Sequence, residues 1–224
     1  MQFRHVHLDP RARQSEIEHA IDELSASESV HGIFIQLPLP PHVDRAALFD
    51  RIPAEKDVDG AGAISRAKLA RGDTSAAPAT PSAIVAMLVQ HGVRLRDAAT
   101  VIVGDSLEIA VPPALLLKRA SNAGSVRLVG PDVPALAAIT READILVSAA
   151  SRPGSIAAEH VRPGATVVDA GYNRTRVGVV GDVESESIMG VAGAFVPMPG
   201  GIGPATVATL LEKTWASARR SSQR

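Results

Sequence analysis

Cysteine is absent from the 224 residues, which excludes structural disulfides, thiolate metal sites and a cysteine nucleophile. Aromatic residues make up only 3% of the chain, so the interior has to be built from alanine, valine, leucine and isoleucine. An excess of either charge is missing too. The 23 Lys and Arg against 24 Asp and Glu leave a net charge of −1, and the scattered bases give no electrostatic footprint for nucleic acid or an anionic membrane. No apolar run approaches the roughly 20 residues that span a bilayer. Met1 to Pro10 carries His5, His7, Arg4 and Asp9 where a secretory leader would be apolar. These absences predict a cytoplasmic protein whose partner is a small molecule.

What is present is a hydrophobic share of 46% in a chain long enough for one large or two small domains. The run Val30-His31-Gly32-Ile33-Phe34-Ile35 reads as a buried strand, ended by Pro38 and Pro40, which have no N–H for a sheet ladder. Gln36 is then a lone amide at a strand end, where open α/β sheets gather ligands; an amide bonded only to loop backbone is the plainer reading. Phe3 to Leu8 alternates like a strand, and Ser15 to Leu24 repeats Ile17, Ala20, Ile21 and Leu24 at helical spacing. His5 and His7 share a face of that first strand, but with no third ligand nearby no metal site is expected.

Arg45 to Arg51 reads as a short helix, followed by Lys56-Asp57-Val58-Asp59-Gly60. Two acids before a glycine can form a turn or cap a helix, and can equally accept paired hydrogen bonds from an amide-rich ligand edge. A further helix is predicted from Thr80 as N-cap and Pro81 at its first position to Gly92, joining two domains. From Thr100 the pattern alternates: strands at 100–103, 125–129, 145–148 and 166–168, helices at 112–123 and 133–142. This is the sign of a doubly wound parallel sheet. A helix at 205–214 and a polar low-complexity tail at 219–224 close the chain.

The turn after the first of these strands reads Gly104-Asp105-Ser106-Leu107-Glu108-Ile109-Ala110. A generic dinucleotide fingerprint needs more glycines than Gly104, and Asp105 and Glu108 put negative charge beside a pyrophosphate. Asp132 lies where Rossmann domains place an acid for the ribose 2′-OH, which would favour NAD over NADP, or it caps a helix starting at Val133. The side-chain-poor loop Pro197-Met198-Pro199-Gly200-Gly201-Ile202-Gly203-Pro204 lets backbone approach a flat ligand closely.

Taken in order, Val30 to Pro40, Lys56 to Gly60, Lys68 to Asp73, Pro78 to Pro81, Gly164 to Arg174, Gly181-Asp182-Val183 and Pro197 to Thr206 resemble the bifunctional methylenetetrahydrofolate dehydrogenase/cyclohydrolase family. The resemblance implies a two-domain α/β protein. A shortened folate domain, residues 1–92 with 205–224, would be joined to a Rossmann-like, doubly wound nucleotide domain at 93–204, with a folate cleft between them and a homodimer as the common assembly. Family members oxidise 5,10-methylenetetrahydrofolate with NADP or NAD and hydrolyse the methenyl product to 10-formyltetrahydrofolate. By the same resemblance Gln36 supports a catalytic lysine and Asp59 grips the pterin amide edge. Leu37, Pro38, Pro199, Gly200 and Gly201 line the folate site. Gly104, Asp105, Ser106, Asp132, Gly171, Asn173, Gly203 and Thr206 fall to the NADP or NAD side.

The departures are specific. The family's Tyr-x-x-x-Lys helix stands before the segment at Phe3, and this sequence begins after that point. Its lysines are Lys56, Lys68, Lys118 and Lys213, and its tyrosine is Tyr172. The family's Gly-Arg-Ser is Gly104-Asp105-Ser106 here, and the polar His-Ser stretch is Gly130-Pro131. A positioned acid/base contributes roughly 10²–10⁴-fold to rate, so the sequence predicts an impaired cyclohydrolase. A non-catalytic folate- or partner-binding paralogue and an NAD-dependent oxidoreductase on another substrate are the alternatives.

Overall fold

The computed structural model describes residues 1–120 and 124–222. These fall into two units, Met1–Ala79 with the chain from Thr209, and Thr80–Ala208. Among the described residues no helix is long and apolar enough to cross a membrane.

The first unit is built on three helices. In α1 (Gln14–Ala26) the Glu16 carboxylate turns back to accept the Arg13 N–H at 2.7 Å, satisfying one of the unpaired amides of the first turn. In α2 (Arg45–Arg51) Asp44 caps the Ala46 and Ala47 amides at 3.0 and 3.1 Å. α3 (Ala63–Arg71) ends on Gly72, whose φ of 111° suits glycine at a helix C-terminus. Ile21, Ile33, Leu48 and Ile52 form the core between α1, α2 and the Ile33 segment.

Two expected strands do not form here. Phe3, His5 and His7 do fall on one side, with ring centroids 6.4 and 5.8 Å apart, as alternation requires. Yet residues 3–8 make no ladder, and Phe3 is 78% exposed. The run at 30–35 reduces to a single parallel bridge, Ile33 to Asp57, with Ile33 the one buried side chain in it. The period of both segments is right for a strand, but a strand also needs a neighbour along its length, which composition does not report.

The second unit opens with α4 (Ala79–Gln90), whose Ile84 and Leu88 pack on the sheet core with Ile102, Ile145 and Ile202. That packing is why the unit begins at Thr80 and not at 93. Gly92, at φ 67°, closes the helix, its N–H donating to Val89 and that of Val93 to Leu88. β1 (Thr100–Val103), β2 (Val126–Val129), β3 (Ile145–Ser148), β4 (Thr166–Asp169) and β7 (Ala194–Val196) form a parallel sheet of order β2-β1-β3-β4-β7. β5 (Asn173–Thr175) and β6 (Gly178–Val180) make a separate antiparallel hairpin. β1 and β3 are buried at every position, as strands covered on both faces must be.

Between the strands run α5 (Val111–Ala120), α6 (Leu136–Thr140) and α7 (Ser185–Ile188), and α8 (Ile202–Ser221) closes the chain. Positions 121–123 of the helix expected at 112–123 lie outside the described residues, as do 223–224 of the tail. The helix expected over 133–142 is cut to α6 because Pro134 biases Val133 away from helical angles, and Ala135 takes φ 58°. α8 is longer at both ends than the expected 205–214. The Arg219 and Ser221 of the supposed tail belong to it, with the Arg219 guanidinium 4.9 Å from the Trp215 ring centre.

Candidate functional site

In the first unit the loop at 55–60 sets two acids at opposite tasks. Asp57 is buried and spends its carboxylate on the Ala61 N–H (3.2 Å), the Gly62 N–H (3.0 Å) and the Ser65 hydroxyl (2.6 Å), bracing the entry to α3. The turn reading of this loop therefore belongs to Asp57. Asp59, two residues on, is partly buried, its backbone carbonyl accepting the Ala79 N–H at 3.3 Å, and its carboxyl pKa is pushed up to about 6, first by burial and then by the neighbouring Asp57 charge. Gly60 keeps the turn tight. At φ 65° a Cβ there would stand 2.6 Å from the Ala76 carbonyl oxygen.

Lys213 of α8 donates to the Ala77 carbonyl beside this loop, and Ser217, one turn on, donates to the Glu55 carbonyl at 2.6 Å. Burial draws the Lys213 pKa down while Asp57 and Asp59 pull it up. Sequence reasoning missed Lys213. The signal was a lysine one turn before Ser217 on a helix face that has to cover this loop.

Gln36 is exposed, and its amide donates to the carbonyl of its neighbour Leu37 at 3.0 Å. That bond is the one the plainer of its two readings expects. Leu37 and Pro38, joined by a cis peptide, line a shallow hollow with Leu39, Pro40 and Val43. Lys56 donates to the Ser25 and Ser27 carbonyls at 2.6 and 2.8 Å, a structural role.

In the second unit the strand order reverses between β1 and β3, the switch point at which doubly wound sheets bind ligands beyond their carboxyl ends. Gly104 follows β1 there. A Cβ on it would sit 2.5 Å from the Ala149 oxygen that follows β3, so only a glycine leaves this mouth open. Ser106 accepts the Ile109 and Ala110 amides at 3.0 and 3.2 Å and so caps the approach to α5, while Asp105 stands exposed beside it. The vacancy at Gly104 and the polar turn after it fit a dinucleotide, with Asp105 opposing its phosphates.

Asp132, beyond β2, does not cap a helix, because α6 starts at Leu136 after Ala135. Its carboxylate is held instead by Arg152 from the loop after β3, on both oxygens, the Nη2 bond at 2.6 Å. That guanidinium keeps the Asp132 carboxyl below the usual carboxylate range.

Gly171 and Asn173 belong to a buried carboxylate network. Asp169 accepts the Gly171, Asp182 and Val183 amides at 2.9, 3.0 and 3.0 Å. Asp182 accepts the Ser148 hydroxyl, the Ala150, Ser151 and Arg152 amides and the Asn173 side-chain amide, at 2.7 to 3.2 Å. Burial raises the Asp169 pKa. Sequence reading singled out Gly171 and Asn173 and gave Asp169 and Asp182 no role. The block Gly181-Asp182-Val183 was the signal.

The loop after β7 turns on a Gly201 N–H to Pro197 oxygen bond of 2.9 Å, with Met198–Pro199 cis and Gly200 at φ 102° open to its surroundings. A Cβ on Gly201 would lie 2.4 Å from the Pro197 oxygen, whereas one on Gly203 would meet nothing within 4 Å. Thr206 bonds Ile202 oxygen at 3.0 Å and the Thr80 hydroxyl at 3.3 Å.

Comparisons with known proteins give a consistent result. The family model for the tetrahydrofolate dehydrogenase/cyclohydrolase NAD(P)-binding domain matches residues 78–222, and that for the catalytic domain of the same family matches residues 1–59. Bifunctional protein FolD 2 of Frankia alni is 43% identical over 219 residues, which are 98% of this chain and 75% of that protein. Bifunctional protein FolD of Bordetella petrii is 41% identical over 93% of this chain and 71% of its own length. Among solved structures, the FolD methylenetetrahydrofolate dehydrogenase/cyclohydrolase of Campylobacter jejuni superposes with a TM-score of 0.89 at 35% identity, covering 96% of this chain and 76% of that one. The Trypanosoma brucei enzyme, solved with NADP and an inhibitor, gives 0.88 at 33%, covering 96% and 75%.

Proposed function

The chain belongs to the tetrahydrofolate dehydrogenase/cyclohydrolase family, and from that premise we propose that Asp59 receives the folate and that the β1/β3 switch point of the second unit receives the nicotinamide dinucleotide. The activity is NAD(P)-dependent oxidation of 5,10-methylenetetrahydrofolate in one-carbon metabolism, with hydrolysis of the methenyl product. The dinucleotide, when bound, supplies the hydride acceptor.

One observation carries the assignment on the folate side. Asp57 and Asp59 stand in one loop, yet Asp57 is consumed by backbone and Ser65 while Asp59 sits partly buried at the Ala79 amide. A carboxylate so placed can accept the paired N–H bonds of a pterin amide edge. Gln36, Leu37 and Pro38 are the further folate residues of this reading in the first unit. On the nucleotide side, Gly104 supplies close approach, with Asp105, Ser106, Gly171, Asn173, Gly203 and Thr206 around it. Asp132 leans the choice towards NAD because an acid at that strand end suits a free ribose hydroxyl.

Hydrolysis needs a proton carrier at the carbon, and the described lysines are engaged elsewhere or, like Lys68, exposed on α3. On the residues described, hydrolysis is proposed to be the slower of the two steps. Homodimeric assembly is also proposed, supported by Leu211 and Trp215, 53% and 55% exposed one turn apart on α8; a cytoplasmic location is proposed from the composition of the sequence.

The test is to titrate the purified chain separately with NAD, NADP and tetrahydrofolate, then to follow methylene oxidation and methenyl hydrolysis. Binding of folate and a nucleotide with oxidation exceeding hydrolysis is the expected result. Nucleotide binding without folate binding would sink the assignment.

A further inference from the structure

α8 lays one edge along the acidic loop of the first unit. Ser217 bonds the Glu55 carbonyl at 2.6 Å, Lys213 bonds the Ala77 carbonyl, and a Cβ on Gly32 would lie 2.9 Å from the Thr214 hydroxyl and 2.8 Å from Val58 Cγ1. The Ala77 carbonyl is not remote from Asp59. Gly60 packs directly on the backbone of Ala76 to Pro78, and the Ala79 N–H donates to the Asp59 carbonyl at 3.3 Å. The ammonium is therefore fixed at the seam between the Asp59 turn and the segment it rests on.

We propose that Lys213 is a positioning residue for the folate reaction: its ammonium, anchored on the Ala77 carbonyl, braces the Asp59 turn and sets a positive charge beside the carboxyl that accepts paired N–H bonds from the substrate's amide edge. The proposal rests on the reading of Asp59 as the folate ligand.

The charges around the site make such a device necessary. Asp57 and Asp59 repel each other, and burial works in the same direction, so without a cation Asp59 would hold its proton to higher pH still. Asp57 cannot move away, since its oxygens are tied to Ala61, Gly62 and Ser65. The other charges felt by Lys213 are Asp73, whose carboxylate is held by Ser75, and Arg220 further along α8. Lys68 acts on Asp73 and is exposed. Lys213 is thus the cation that faces both loop acids from the helix packed against them. An opposite charge nearby favours the ionised form of a carboxyl group.

Two variants separate charge from packing. Lys213→Gln keeps a donor for the Ala77 carbonyl and removes the charge, and Lys213→Arg keeps both. The Asp59 carboxyl is titrated by carbon NMR in the ligand-free chain, and the folate KM and kcat are measured at about pH 6.5 and 8.5. In Lys213→Gln the Asp59 midpoint is expected to rise by about one unit, and the folate KM to rise several-fold at the lower pH only, with kcat little changed; Lys213→Arg restores both. An Asp59 midpoint identical in wild type and Lys213→Gln overturns the coupling. A shifted midpoint with a folate KM indifferent to it at both pH values overturns the folate reading of Asp59, and the positioning role with it.

Discussion

Arg152 and Asp132 face each other across the carboxyl ends of β3 and β2, guanidinium against carboxylate, with one of the paired bonds at 2.6 Å. The acid that would choose between NAD and NADP is thus already neutralised by a base that could itself receive a 2′-phosphate. On the proposed assignment the acid leans towards NAD and the base opposes that lean, so removing one member should shift the preference. Asp132→Ala is expected to lower the KM for NADP relative to NAD by about tenfold, the ratio for roughly 1.4 kcal/mol of altered discrimination. Arg152→Ala should do the opposite. Steady-state kinetics with both nucleotides decides this, and an unchanged ratio in both variants would show that the pair does not read the ribose. Both groups are on the surface, so the thermal midpoint is expected to stay where it is.

Asp59 gives a pH prediction whose sign is fixed. Its folded pKa, about 6, lies above the ordinary 3.8, so the native state binds the proton more tightly than the unfolded chain. Its contribution is fully present below about pH 3.8 and is lost as pH rises through 6. Asp59→Asn removes that loss. The variant should match wild type near pH 4 and exceed it by about 1–3 kcal/mol above pH 7, while folate binding falls. Urea unfolding across that range measures the first part, and equal curves at every pH would contradict it.

The buried acids of the second unit should be far less forgiving. Asp182→Ala strands the Ser148 hydroxyl, the Asn173 amide and the amides of Ala150 to Arg152 at once. A loss of about 3–5 kcal/mol is expected from denaturant unfolding. Less than about 1 kcal/mol would mean that water replaces the carboxylate.

Space, not conformation, makes the neighbouring glycines sensitive. A Cβ on Gly171 would stand 2.2 Å from the Asp182 carboxyl carbon, and one on Gly181 only 1.8 Å from Asp169 Oδ2. Gly171→Ala and Gly181→Ala should each cost about 2–3 kcal/mol or prevent folding. Gly203→Ala, with nothing within 4 Å of its Cβ position, serves as the tolerated control.

Gln36 should separate stability from turnover. Exposed and bonded only to Leu37, it contributes little to folding, so Gln36→Ala should leave the unfolding curve in place. Methylene oxidation should lose several-fold in kcat/KM if the amide lines the folate site. An unaltered kcat/KM would return Gln36 to its plainer reading.

The Rossmann-like half was legible because β1, β3 and β4 are short, mostly apolar runs rich in valine and isoleucine, almost wholly buried, whose pattern survives any detail of their surroundings. The first half was legible only in its helices. Phe3 to Leu8 and Val30 to Ile35 carry a strand's composition without a strand's partner, and composition cannot report a partner. Asp59 could be found because its loop has a recognisable order of residues. Lys213 could not, since its role depends on α8 lying against a loop more than a hundred residues earlier. Asp132 was seen as a ribose acid or a cap, but the base that holds it comes from another strand end.

The Asp169 and Asp182 network also sets where this protein can change. Gly171 and Asn173 are locked into it, so a substitution there alters the sheet before it alters a cofactor. Asp105 and Asp132 stand exposed, on turns whose backbone is held by the Ser106 hydroxyl and by the Val133 N–H to Gly130 carbonyl bond. Redesign of nucleotide preference, by a laboratory or by drift, therefore has a short and predictable address: the surface acids can be traded one at a time while the buried pair keeps the mouth of the sheet in register.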